Sequence, residues 1–134
     1  MRSSRIVRRH RLSQCAGMNN ICDIEKELTA YMLEKLSSVS YLKIIGSTEP
    51  RNRIGVVPFI IDGAHPHDIS TILNADKIAI RTGRDCAQPF HKHLRGSSTC
   101  RASVYLYNTK EDIDYLAESL ADVRRWLGYS CTLK

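Results

Sequence analysis

"RASVYLYNTKEDIDYLAESLADVRRWLG", residues 101–128, is the stretch whose reading decides the fold. Ala102, Val104 and Leu106 alternate with Arg101, Ser103, Tyr105 and Tyr107. That period of two predicts a strand over 101–107 with one buried and one polar face. At Thr109 the period changes. Ile113, Leu116, Leu120, Val123 and Leu127 recur at helical spacing, behind a capping threonine and ahead of Gly128, which stops the helix. A strand running into an amphipathic helix has two apolar surfaces to bury, and the upstream chain must supply the partners.

Upstream, Ile21, Ile24, Leu28, Tyr31, Met32 and Leu36 share one helical face within 19–39. Short strands are predicted at 41–45, 53–61 and 77–81, with turn-forming residues from Gly46 to Asn52. Pro58 lacks a ladder N–H, which places it at an edge or a bulge. Asp68 is read as the N-cap of a short helix carrying Ile69, Ile72 and Leu73. The order is helix, strand, strand, helix, strand, loop, strand, helix. This predicts an α/β fold, a two-layer sandwich of a small mixed sheet with flanking helices.

The 134 residues are one domain's worth of chain, with 43% hydrophobic and 25% charged residues, the composition of an ordinary globular protein. Five of the 20 Lys and Arg are Arg2, Arg5, Arg8, Arg9 and Arg11, ahead of the first acid, Asp23. The remaining fifteen nearly balance the 14 acids, so the net charge of +6 belongs to a tail. Residues 1–16 are expected to be a disordered basic tail, whether a leader, a transit peptide or a nucleic-acid-binding arm, and 17–134 the folded domain. No basic stripe with interleaved aromatics continues into the body, which argues against nucleic acid as a partner. Cys15, Cys22, Cys86, Cys100 and Cys131 are odd in number and irregularly spaced, which points to a reducing, cytoplasmic setting.

"GRDCAQPFHKH", 83–93, joins two of the strands, so Cys86 sits on a loop. Arg81 and Arg84 would favour its thiolate, and Asp85 would oppose it. Three readings stay open for Cys86: a nucleophile, a small packed side chain, or a metal ligand with His91, His93 and Cys100, joined by His65 and His67. No CxxC pair supports the metal, and none is assigned.

"IAIRTGRDCAQPF" (78–90) and the run from Cys100 to Gly128 resemble the C-terminal segment of the group II (SUF-type) cysteine desulfurases. Those enzymes belong to the class V aminotransferase-like family that depends on pyridoxal phosphate. "GMNNICDIEKEL" (17–28), "RNRIGVVPF" (51–59) and "HPHDISTILNADKIAI" (65–80) match in order, so the resemblance covers Gly17 to Gly128. It implies the small C-terminal domain of a pyridoxal-phosphate transferase fold. It implies that Cys86 takes sulfur from L-cysteine as a persulfide, for an acceptor protein and iron–sulfur cluster assembly. Arg101 would bind the substrate α-carboxylate and Arg81 would line the same pocket.

Two departures stand out. Arg84 and Asp85 occupy positions where the family usually has two histidines. None of Lys26, Lys35, Lys43, Lys77, Lys92, Lys110 and Lys134 lies in a segment like the family's cofactor-binding lysine motif, and no Gly-rich phosphate cradle is present. The chain alone is therefore expected to be an inactive desulfurase fragment that does not hold pyridoxal phosphate, either a truncated product or a piece that works with a separate large domain, and a homodimer is left open. The alternatives are a non-enzymatic persulfide carrier and a basic-tailed binding module.

Overall fold

A computed structural model describes residue 14 and residues 17–83 and 98–128. Helix α1 runs Met18–Ser37, strand β1 Leu42–Ile44, strand β2 Val56–Ile61, helix α2 Pro66–Ala75, strand β3 Arg81–Gly83, strand β4 Thr99–Ser103 and helix α3 Lys110–Trp126. The element order is the predicted one. The four strands form one sheet in the order β1-β2-β4-β3. Every pairing among them is antiparallel, where mixed pairing was expected.

Alternation sorts the sheet into two faces. Along β2, Val57, Phe59 and Ile61 are buried while Val56, Pro58 and Ile60 are half-buried. The register sets Val57 opposite Ala102 and Phe59 opposite Cys100, so these residues share the inner face. Leu28, Met32 and Leu36 of α1, Ile69 and Leu73 of α2, and Ile113, Leu116, Leu120 and Val123 of α3 join them in one core. The three helices therefore make one layer and the sheet the other.

The helices α1 and α3 are tied by polar contacts along their seam. Lys110 pairs with Glu27 at 2.6 Å and Lys35 with Asp114 at 2.7 Å. The Tyr31 hydroxyl donates to both Asp114 oxygens at 2.9 and 3.0 Å. As predicted, Thr109 caps α3, and Asp112 reciprocates to complete a capping box. Ile24, expected on the buried face of α1, is 43% exposed.

Pro58 lies in an interior strand, not at an edge or a bulge, where the ladder to β1 ends. The Ile45 amide donates to Pro58 O at 2.9 Å. The reciprocal bond needs a proline N–H that does not exist. The Arg53 guanidinium takes its place by donating to Ile45 O, and it also reaches Ser47 O. One half-buried arginine thus satisfies the acceptor that the proline strands.

The N-cap of α2 is His65 rather than Asp68. Its side chain accepts from the His67 amide, Pro66 fills the first helical position, and Asp68 follows in the first turn. The predicted strand 77–81 is displaced to 81–83 because the chain first closes α2 with a Schellman motif. Lys77 takes a left-handed φ of 61°, its amide donates to Asn74 O at 3.0 Å, and the Ile78 amide donates to Leu73 O at 2.8 Å. A lysine pays a steric cost there that glycine avoids. Lys77→Gly should raise stability by about 0.5–1 kcal/mol in urea unfolding. A loss of stability would contradict this reading of the turn. Strand β4 begins two residues before the predicted 101–107 and ends at Ser103. Asn108 Oδ1 accepts from the Tyr105 amide, and the Asn108 amide donates to Tyr105 O, so the chain has already turned.

Candidate functional site

Among the described residues, the outer face of the sheet is the one the helices do not cover. Arg101 sits there, as its alternation predicted. It is half-buried, with its Nε shielded from solvent. The register sets Arg81 of β3 opposite Arg101 on one side and Pro58 of β2 opposite it on the other. Backbone phase fixes what kind of pair each is. Because Pro58 directs its carbonyl at Ile45, its pair with Arg101 is of the non-hydrogen-bonded kind, with Cα atoms about 4.5 Å apart. The Arg81–Arg101 pair is then the hydrogen-bonded kind, about 5.5 Å apart.

Two guanidinium side chains therefore rise side by side from one face, against a rigid proline ring. Like charges directly opposite on a sheet repel, and an anion lying across both relieves that repulsion. A carboxylate matches the planar fork of a guanidinium. Arg81 is exposed and Arg101 half-buried, so the pair borders open surface. The sequence signalled Arg101 through alternation. The role of Pro58 as its neighbour had no sequence signal, since it depends on register.

Cys86, Arg84, Asp85, His91 and His93 lie outside the described residues, as do Cys15, Cys131 and the basic tail. Cys100 is described, and it faces the core with no exposed surface. Its Sγ lies 3.9 Å from Pro66 O, and burial pushes the thiol up to about 12. It is a packed thiol of the core. Among the described residues no group of three His, Cys, Asp or Glu is placed to hold a metal. His65 and His67 stack on each other at 5.5 Å.

Two outcomes follow for the described cysteines. Iodoacetamide should label exposed Cys22 in the folded chain and reach Cys100 only on unfolding. Labelling of Cys100 under native conditions would contradict its placement. Burial raises the folded thiol above its ordinary value near 9, so Cys100 contributes fully below pH 9. That contribution should fade as pH rises from 9 towards 12, and unfolding curves of Cys100→Ala should lack this component.

The described lysines do not fit pyridoxal phosphate. A lysine that joins the cofactor aldehyde reacts as the neutral amine. Lys35 donates to Asp114 and Lys110 to Glu27, and these hydrogen bonds instead push the amines above the ordinary lysine range. Lys26, Lys43 and Lys77 are exposed, and none of the five is buried. A groove of about 570 Å³ is lined by α1, the turn after it and α3, with no residue from β3 or β4. No described helix is long and apolar enough to cross a membrane.

A small α/β sandwich that raises paired arginines beside a cysteine-bearing connection has close relatives. The aminotransferase class-V family pattern matches residues 10–116, and the chain belongs to that family. It is similar to the probable cysteine desulfurase of Halalkalibacterium halodurans, 46% identical over 113 residues, which are 84% of this chain and 27% of that protein. The probable cysteine desulfurase of Staphylococcus aureus strain Mu50 is 42% identical over the same shares. Among solved structures, the apo cysteine desulfurase from Thermococcus onnurineus NA1 superposes with a TM-score of 0.81 at 29% identity. That match covers 87% of this chain and 29% of the other. The chain thus spans about a quarter of the length of these relatives.

Proposed function

We propose that this chain carries the sulfur-accepting and carboxylate-binding part of a SUF-type, group II cysteine desulfurase and corresponds to the C-terminal segment of such an enzyme. The observation that carries the reading is the antiparallel register of β3 and β4. It sets Arg81 and Arg101 together on the face opposite the described helices, and the segment holding Cys86 connects those two strands. Cys86 follows Gly83 by three positions in the chain, a reach of at most about 11 Å.

Each residue then has a task. Arg101 holds the α-carboxylate of L-cysteine through charge-assisted hydrogen bonds, and Arg81 lines the same pocket. Cys86 accepts the sulfur atom as a persulfide and passes it to an acceptor protein that serves iron–sulfur cluster assembly. Pyridoxal phosphate, when bound, supplies the electron sink that lets the substrate carbon–sulfur bond break. The described lysines do not fit that cofactor, and on that ground we assign it to the portion of the relatives' length that this chain does not span. Residues 17–134 form the working unit, with 1–16 as an appended basic tail.

The test mixes the chain with pyridoxal phosphate, L-cysteine and the remaining portion of the Halalkalibacterium halodurans relative. Trapping with an alkylating agent and peptide mass spectrometry should find an extra sulfur on Cys86. A persulfide on Cys22 or Cys100 instead, or none on this chain, would overturn the assignment.

A further inference from the structure

Helix α2 starts in a way that depends on proton concentration. Pro66 has no N–H, so the first amide needing an acceptor is that of His67, and His65 Nδ1 accepts it at 3.3 Å. Only an unprotonated ring nitrogen can accept. The Asp68 and Ile69 amides donate to His65 O at 2.9 and 3.2 Å, so the whole first turn hangs on this residue. The His67 ring stacks on that of His65, with centroids 5.5 Å apart and planes 17° apart. Two imidazolium ions so placed would repel each other at the positive end of the helix dipole. The turn also touches the sheet, because the Cys100 thiol contacts Pro66 O one residue from Arg101.

We propose that His65 makes the first turn of α2 a pH-sensitive device, seated when the ring is neutral and loosened, together with the Pro66–Cys100 contact, when it is protonated. Imidazoles exchange their proton in the mildly acidic range, where few other groups do. Among the described residues, the surrounding charges leave that dependence to the histidines. Asp68 lies on α2 itself and Asp62 on the turn before it, and both are exposed. From the sheet, Thr82, Cys100 and Ala102 face the helices, while Arg81 and Arg101 point from the other face. Helix α3 meets α2 through the Tyr115 hydroxyl, which donates to Asp76 O at the far end. The Cys100 thiol stays neutral throughout the range.

The experiment is an amide NMR titration of the full chain from pH 8 to 5.5, with exchange protection corrected for intrinsic rates. The His67 amide of the wild type should shift as the His65 ring titrates and lose protection about fivefold, as expected for a lost N-cap. The Cys100 amide should move with the same midpoint. His65→Asn keeps a carbonyl acceptor at every pH and should hold the His67 resonance and its protection. His67→Asn should leave the His65-linked transition in place. A His67 amide that ignores the His65 titration overturns the proposal, and so does an equal loss of protection in His65→Asn. A Cys100 amide that stays fixed while His67 moves overturns the link to the sheet.

Discussion

Phe59→Ala should cost the fold about 3–5 kcal/mol. The ring has no exposed surface and is among the largest fully buried side chains. It stands at the middle of the inner face, opposite Ile44 of β1 and Cys100 of β4, and belongs to the cluster that takes in Leu36, Ile69 and Leu120. Removing it leaves a void within that cluster, which rigid neighbours fill only partly. A domain of this size has about 5–15 kcal/mol in hand, so the variant loses a large share of it. With a slope of about 1–2 kcal/mol per molar urea, the midpoint should fall by roughly 2–3 M. A shift below about 0.5 M would show that Phe59 is not central to the core.

Arg101→Gln should leave folding nearly intact and remove substrate binding. The side chain lies on the face away from the core, so urea unfolding should change by less than about 1 kcal/mol. In the mixture with the cofactor-bearing portion, the catalytic loss should be large. A carboxylate held by a guanidinium gains about 1.5–3 kcal/mol per charge-assisted hydrogen bond. Losing that fork at about 1.4 kcal/mol per decade predicts a fall in kcat/KM for L-cysteine of roughly 100-fold. Arg101→Lys should recover only part of it, because an ammonium lacks the planar fork. A variant with wild-type kcat/KM would remove Arg101 from the substrate site.

How much of this was legible depended on whether the deciding signal was local. The α3 cap was readable because threonine followed by an acidic residue at the third helical position has one structural meaning. The apolar faces of α1 and α3 were readable from their period. The displaced β3 was not, since Lys77 occupies a left-handed position that sequence reasoning reserves for glycine or asparagine. His65 was missed as a cap because capping is expected of shorter polar side chains, and neighbouring Asp68 was the more obvious candidate. Pro58 misled in another way. The rule that proline avoids interior strands assumes that no third group serves the widowed carbonyl, and here Arg53 does.

The site divides in the same manner. Arg101 could be placed on the polar face from alternation alone. Its pairing with Arg81 could not, because register is set by the pleat of two strands separated by 15 residues and by what each buries. Cys86 was singled out by its charged neighbours and by family resemblance, and it lies outside the described residues.

The central claim is that this chain supplies the accepting and orienting residues while another portion supplies the cofactor. Sulfide release from L-cysteine, measured with pyridoxal phosphate present, tests it most directly. The chain alone should stay at the rate of the free cofactor, and adding the cofactor-bearing portion of the Halalkalibacterium halodurans relative should raise the rate in a manner abolished by Cys86→Ala. Cys86-dependent sulfide release by the chain alone, with stoichiometric cofactor bound, would contradict the claim, and so would activity in the mixture that survives Cys86→Ala.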